Sequence, residues 1–169
     1  MRFLLILFVL SCNSSDNVTE ELPKSSDFNV NEIGMPIITI TREGVPLIKA
    51  SSDILIKNKS SNAILRGHVK ADFFDQGGLL ISKLTSDSAY IDQNTNNLHA
   101  YGNVKVVSNE GVKLSSNSIL WDNHYELITS RDFVTFTTSD NDTITGVGFE
   151  SDMDLTKWKI KKPRGTKSN

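Results

Sequence analysis

From about residue 35, apolar and polar residues alternate in short runs broken by clusters of Asn, Asp, Gly and Ser. Alternation with a period of two, bounded by turn formers, predicts half-buried β-strands. No segment carries the three- and four-residue apolar spacing of an amphipathic helix. Three outgoing runs, DILIK (53–57), SAYID (88–92) and SILWD (118–122), are followed by the polar turns NKSSN, QNTNN and NHYE. The chain then returns as HVKADFF (68–74), NVKVV (103–107) and FVTFT (133–137). Val69, Val104 and Val134 each stand fourteen residues after Leu55, Tyr90 and Leu120.

A second set of turns, DQGG (75–78), SNEG (108–111) and SDND (139–142), leads into short strands at Leu79–Leu84, Val112–Leu114 and Thr143–Thr145. A partial fourth unit begins at GVGFESD (146–152). The pattern predicts a unit of strand, turn, strand, turn with a period of 30 to 35 residues. Such a unit cannot bury its apolar side alone and must stack on its neighbours.

The two-residue period sorts the side chains by face. Ile54 with Ile56, Ala89 with Ile91, and Ile119 with Trp121 share a side of the outgoing strands. Val69 with Ala71 and Phe73, Val104 with Val106, and Val134 with Phe136 do so on the returning strands. Lys70, Lys105 and Thr135 alternate with them. Two antiparallel sheets with facing apolar sides satisfy the pattern, with Trp121 in register with Ile91 and Ile56. Asp92, Asp122 and Asp152 recur every thirty residues, each just after an outgoing strand. Turn chemistry explains them more simply than a metal-binding ladder, because Asp accepts hydrogen bonds from downstream amides in tight turns. Trp121-Asp122 and Gly67-His68 carry the dipeptides of a propeller blade, but each occurs once and in different units. Four blades would exhaust the chain.

The 169 residues suit one ordinary domain, and a net charge of −2 gives no overall field favouring nucleic acid. The first twelve residues depart from the strand pattern. MRFLLILFVLSC has one basic residue, then an apolar run from Phe3 to Leu10. That run is too short to span a bilayer, which takes roughly 20 residues, and it predicts a secretory signal. Val9-Leu10-Ser11-Cys12 resembles the processing site of bacterial lipoproteins, with Cys12 as the sole cysteine. The resemblance implies cleavage before Cys12 and acylation of its thiol and new amine. The polar stretch that follows reads as a tether.

No catalytic constellation emerges. His68, His99 and His124 fall at non-equivalent places in the repeat, without metal-ligand spacing. Neither a nucleophile elbow nor a phosphate-binding glycine loop occurs. The residues point to no enzyme, metal or cofactor.

The series LTSDSAYID, NLHAYGNVKVVSNEGVKLSSNSILWD, LITSRDFVTF and DTITGVGFESDMDLTKWKI resembles the LptC family of lipopolysaccharide-export periplasmic proteins, especially its lipoprotein-anchored members. The likeness covers about residues 35 to 160. Its most specific parts are Gly102-Asn103-Val104, the block GVKLSSNSILWD (111–122), and Gly146-Val147-Gly148 with Trp158. It implies an all-β fold, an open antiparallel β-jellyroll or twisted sandwich of stacked hairpins. The expected organisation is a signal peptide at 1–11, a lipid-anchored tether at 12–34, the jellyroll at 35–160 and a basic tail at 161–169.

The resemblance also implies a non-enzymatic carrier. It would accept lipopolysaccharide from an inner-membrane Lpt ABC transporter and pass it to an LptA-like bridge protein. It would act at the periplasmic face of the inner membrane, although Asn13 after the lipidated cysteine leaves the outer membrane open. Many members use a transmembrane helix where this chain has Cys12. The candidate lipid-lining side chains are the inward sets named above, and a closed core accounts for any one of them equally well. An added strand could dock at a free sheet edge, with PIITITREG (36–44) and GFESDMDLTKWKI (148–160) as candidate ends. The C-terminal Lys157, Lys159, Lys161, Lys162, Arg164 and Lys167 form either a solvated tail or a contact for lipid A phosphates or an acidic membrane surface. The alternative function is a lipidated structural or adhesin-type β-solenoid.

Overall fold

A computed structural model describes residues 31–57 and 62–164. The expected signal peptide, Cys12, most of the tether, the first polar turn and the end of the basic tail lie outside the described residues. The strands are β1 (Asn31–Gly34), β2 (Ile37–Arg42), β3 (Val45–Ser51), β4 (Ile54–Lys57), β5 (Asn62–Phe74), β6 (Leu80–Asp92), β7 (Leu98–Ser108), β8 (Lys113–Asp122), β9 (Leu127–Thr137), β10 (Thr143–Asp152) and β11 (Trp158–Arg164). There is no helix among the described residues. The sheet begins four residues before the expected start of the jellyroll, and β11 runs into the stretch read as a tail.

All strands belong to one antiparallel sheet, in the order β1-β4-β5-β6-β7-β8-β9-β10-β11, with β3 also on β5 and β2 on β3. The runs Leu79–Leu84 and 88–92, expected as separate strands, lie on the single strand β6. Likewise Val112–Leu114 joins 118–122 in β8, and Thr143–Thr145 joins 146–152 in β10. The polar clusters between those runs are bulges, where pairing lapses without reversing the chain. Registers shift between Arg66 and Val69, Thr85 and Ser88, Tyr101 and Val104, and Ser116 and Leu120. The repeating unit is therefore two long, bent strands.

The bulges align into a crease across the sheet. On one side lie β2, β3 and the half-strands that include Phe73, Leu84, Val106, Leu114 and Phe136. On the other lie β1, β4 and the half-strands that include Leu65, Ile91, Leu98, Trp121 and Ile128. We call these halves layer A and layer B. The rings of Phe73 in layer A and Trp121 in layer B have centroids 6.0 Å apart. In a flat sheet, three strand spacings and nine residues of strand would separate them by over about 30 Å. The sheet is thus folded along the crease into a sandwich, and the core sits between its halves.

The crease has its own chemistry. Gly67 and His68, and again Gly102 and Asn103, take positive φ values of 75°, 42°, 75° and 49°. Asp53 lies over Gly67 and Asp87 over Gly102, each where a Cβ would collide with the carboxylate. Each aspartate also meets the next side chain: His68 Nδ1 is 2.8 Å from Asp53 Oδ2, and Asn103 Nδ2 donates to Asp87 Oδ2 at 2.8 Å. Gly67-His68 is therefore a crease element. At the turns, Asp92 Oδ1 accepts from the Asn94 amide at 2.8 Å, Asp122 Oδ1 from His124 at 2.9 Å and Asp152 Oδ1 from Lys157 at 3.0 Å. The recurring aspartates are turn residues.

One expected orientation is overturned. Ile54 is 41% exposed and Ile56 only half-buried, while Leu55 between them points into the core. The reason is turn length. Lys57 pairs with Ala63, whereas Ile91 pairs with Leu98 and Trp121 with Ile128. The first connection is one residue shorter, so the equal spacing of fourteen hides a slip. A slip of one residue moves every side chain to the other face. Leu55, Ala89 and Ile119 are the true equivalents, and Trp121 shares its row with Ile91 and Lys57, not with Ile56.

Candidate functional site: an apolar cleft between the layers

Eleven of the thirteen candidate lining residues do face the interior: Val69, Ala71, Phe73, Ala89, Ile91, Val104, Val106, Ile119, Trp121, Val134 and Phe136 are all buried. Over most of the sandwich they fill it. Phe136 packs on Phe149 at 5.4 Å and on Trp158 at 4.5 Å between ring centroids. The turn after β10 closes the space beside Trp121. It buries Met153 and Leu155, and the indole Nε1 donates to the Met153 sulfur at 3.0 Å. Ser82 Oγ holds the same turn through the Met153 carbonyl at 2.6 Å. Trp121, Phe136 and Phe149 are fully buried in this part of the sandwich.

The interior opens at the N-terminal end. Between β2 of layer A and the ends of β4, β5 and β6 in layer B lies a cavity of about 460 Å³. Its apolar wall is Ile38, Ile40, Leu55, Ala63 and Ile91, and its polar mouth is formed by Thr39, Thr41, Lys57, Gln93 and Asn96. The strands create this gap by how they end. Among the described residues, layer B continues to β1, which pairs only with β4, while layer A ends on β2, which pairs only with β3. No strand of the described residues joins β1 to β2 across the opening. An apolar floor with a polar, singly cationic rim suits an amphiphile whose hydrocarbon enters and whose head stays wet.

Of the expected lining residues only Ile91 reaches this cleft. Ile38, Ile40, Leu55 and Ala63 were missed. The alternation of Ile38 and Ile40 in PIITITREG carried the signal, as an edge strand with one apolar side. A polar clasp stands at the same end. Arg42, at the end of β2, pairs with Glu126 and donates through Nη2 to the Asn123 carbonyl at 2.6 Å. It ties layer A to the β8–β9 turn of layer B.

Two titrating groups are perturbed. Burial lowers the pKa of His99, opposed by the nearby Asp92 charge. His99 lies on the outer face of β7 between the rings of Tyr90 and Tyr101. Burial alone would raise the Asp152 carboxyl, but hydrogen bonds from the Lys157 amide and the Thr156 and Ser151 hydroxyls outweigh it, so its pKa lies below the usual value. Neither group borders the cleft.

Among known families, the model described as lipopolysaccharide-assembly, LptC-related, matches residues 3–166, nearly the whole chain. No curated protein matches it.

Proposed function

Because the chain belongs to the LptC family, we propose that the cleft between β2 and β4–β6 receives acyl chains of lipopolysaccharide on their way from an inner-membrane transporter to an LptA-like bridge. Membership implies a role in lipopolysaccharide export and in the periplasmic machinery that performs it; the family is a transport component and not a known enzyme family. The observation that carries the transfer step is the cleft itself, the place where the apolar interior meets solvent. Each acyl CH₂ withdrawn from water is worth about 0.8 kcal/mol, so even a partly inserted chain is held appreciably. Family membership also favours export over the adhesin-type alternative.

Passage onward uses the sheet edges. Among the described residues, β1 and β2 at one end and β11 at the other each leave one side unpaired. Ile33, Met35 and Ile37 stand exposed at the first end, and Lys159, Lys161 and Lys162 at the second. Such edges accept a strand from another chain. In this reading Cys12 carries the lipid anchor and residues 13–30 span from it to β1. No helix among the described residues is long and apolar enough to cross a membrane.

The test is site-specific photocrosslinking in cells or in vesicles holding the transporter. A crosslinker at Ile38 or Leu55 captures labelled lipopolysaccharide only when ATP is hydrolysed, and one at Tyr125 on an outer turn does not. The idea fails if Ile38, Ile40 and Leu55 all stay unlabelled in a folded, anchored protein.

A further inference from the structure

The outer face of layer A concentrates positive charge that the net charge of −2 conceals. Asp75, Asp92, Asp122 and Asp152 sit in turns and accept from turn amides, and Asp53 and Asp87 lie at the crease. On this face Lys49, Lys70, Lys83, Lys105 and Lys113 occupy outward strand positions. One row across the face runs Ser51, Lys70, Thr85, Lys105, Ser115 and Thr135. The adjacent row runs Lys49, Asp72, Lys83, Val107 and Lys113. Within these rows the one carboxylate is Asp72, with Lys83 Nζ 4.0 Å away. All five lysines are exposed.

The geometry points to a docking surface for an anionic phospholipid bilayer, and we propose that this face lies against the headgroups of the membrane. Three features favour a bilayer over a discrete phosphate. The cations form a broad array, with Lys70 and Lys105 two strands and so about 10 Å apart. The depression among Lys49, Lys70 and Lys83 is only about 240 Å³ and shares its lining with Ser51 and Thr85. Ile37, 66% exposed, and Val107, 40% exposed, stand on the same face. Cations around a few exposed apolar side chains are what an interfacial surface presents to anionic lipid. The face is separate from the cleft, and its first row continues through Thr145 to Arg164 on β11.

The full-length protein is anchored in vesicles, and lysines are acylated with a water-soluble reagent and read by mass spectrometry. On vesicles containing phosphatidylglycerol, labelling of Lys70, Lys83 and Lys105 slows at least about fivefold relative to phosphatidylcholine, the factor associated with one basic residue at an anionic surface. Lys57, at the cleft mouth, serves as reference and keeps its rate. The protection disappears in about 1 M salt, where the screening length falls to about 3 Å. K70E with K105E, both at outward positions, removes the protection of Lys83 while circular dichroism stays that of the parent. Equal labelling on both lipids overturns the proposal, as does protection that survives salt. Protection that requires added lipopolysaccharide, or a partner protein, overturns it equally.

Discussion

Gly102 sits at φ 75° with the Asp87 carboxylate where its side chain would be. Gly111 has a similar φ of 84° but nothing within 4 Å. The pair separates two costs. Gly111→Ala should lose about 1 kcal/mol through left-handed backbone strain. Gly102→Ala should lose that and more, because Asp87 must also move. Asp87→Ala in the Gly102→Ala background should recover the difference, read from urea midpoints. Trp121 is a second informative residue, fully buried against Phe73 and Met153. Trp121→Ala should cost about 3–5 kcal/mol, as large core truncations do. Asp152 predicts a pH dependence. Its folded pKa is depressed, so the unfolded chain binds the proton more readily and stability rises with pH across the carboxylate range. The contribution is present above about pH 4 and is lost as pH falls through the folded value. Asp152→Asn should flatten the acid limb of a thermal-stability profile.

The crease explains which elements were legible in the sequence. Period-two alternation identified the β-class, the hairpin repeat and most inward residues, because burial of one face imposes that pattern. It did not distinguish a bulge from a turn. Ser86-Asp87-Ser88 and Ser116-Asn117-Ser118 have turn composition, yet β6 and β8 run straight through them. Composition reports that pairing lapses, and only the ladder shows whether direction reverses. Ile54 and Ile56 were misplaced for a related reason, since a connection shorter by one residue is invisible until its partners are known. The cleft was harder still. A wall residue and a core residue share the same alternation, and the gap lies where β1 and β2 end without a common neighbour among the described residues. The Arg42 clasp left no local trace either, its partner Glu126 being 84 residues away. With side chains 42% and 26% exposed, the ion pair is worth under about 1 kcal/mol. Arg42→Ala should therefore leave the melting temperature nearly unchanged while hydrogen exchange of the β2 amides accelerates.

For the whole molecule, the interior is a packed sandwich with an opening at its N-terminal end, so stability and the proposed lipid contact can be tested apart. Trp121 and Phe136 belong to the packed part, and Ile38 and Ile40 border the opening. Ile38→Asp, at a partly buried wall position, should reduce lipopolysaccharide transfer at least about tenfold while the far-UV spectrum is retained, since the loss of two buried CH₂ equivalents already exceeds that factor. Trp121→Phe should change transfer far less than stability.

The crease also separates two dimensions of the sandwich. Its breadth is the run of strand from bulge to turn, such as Ser88 to Asp92 on β6 or Ser118 to Asp122 on β8. Its length is the number of hairpins laid side by side. A duplicated or deleted hairpin would alter the second and leave the first untouched, so chains of this design can become longer or shorter without changing their cross-section.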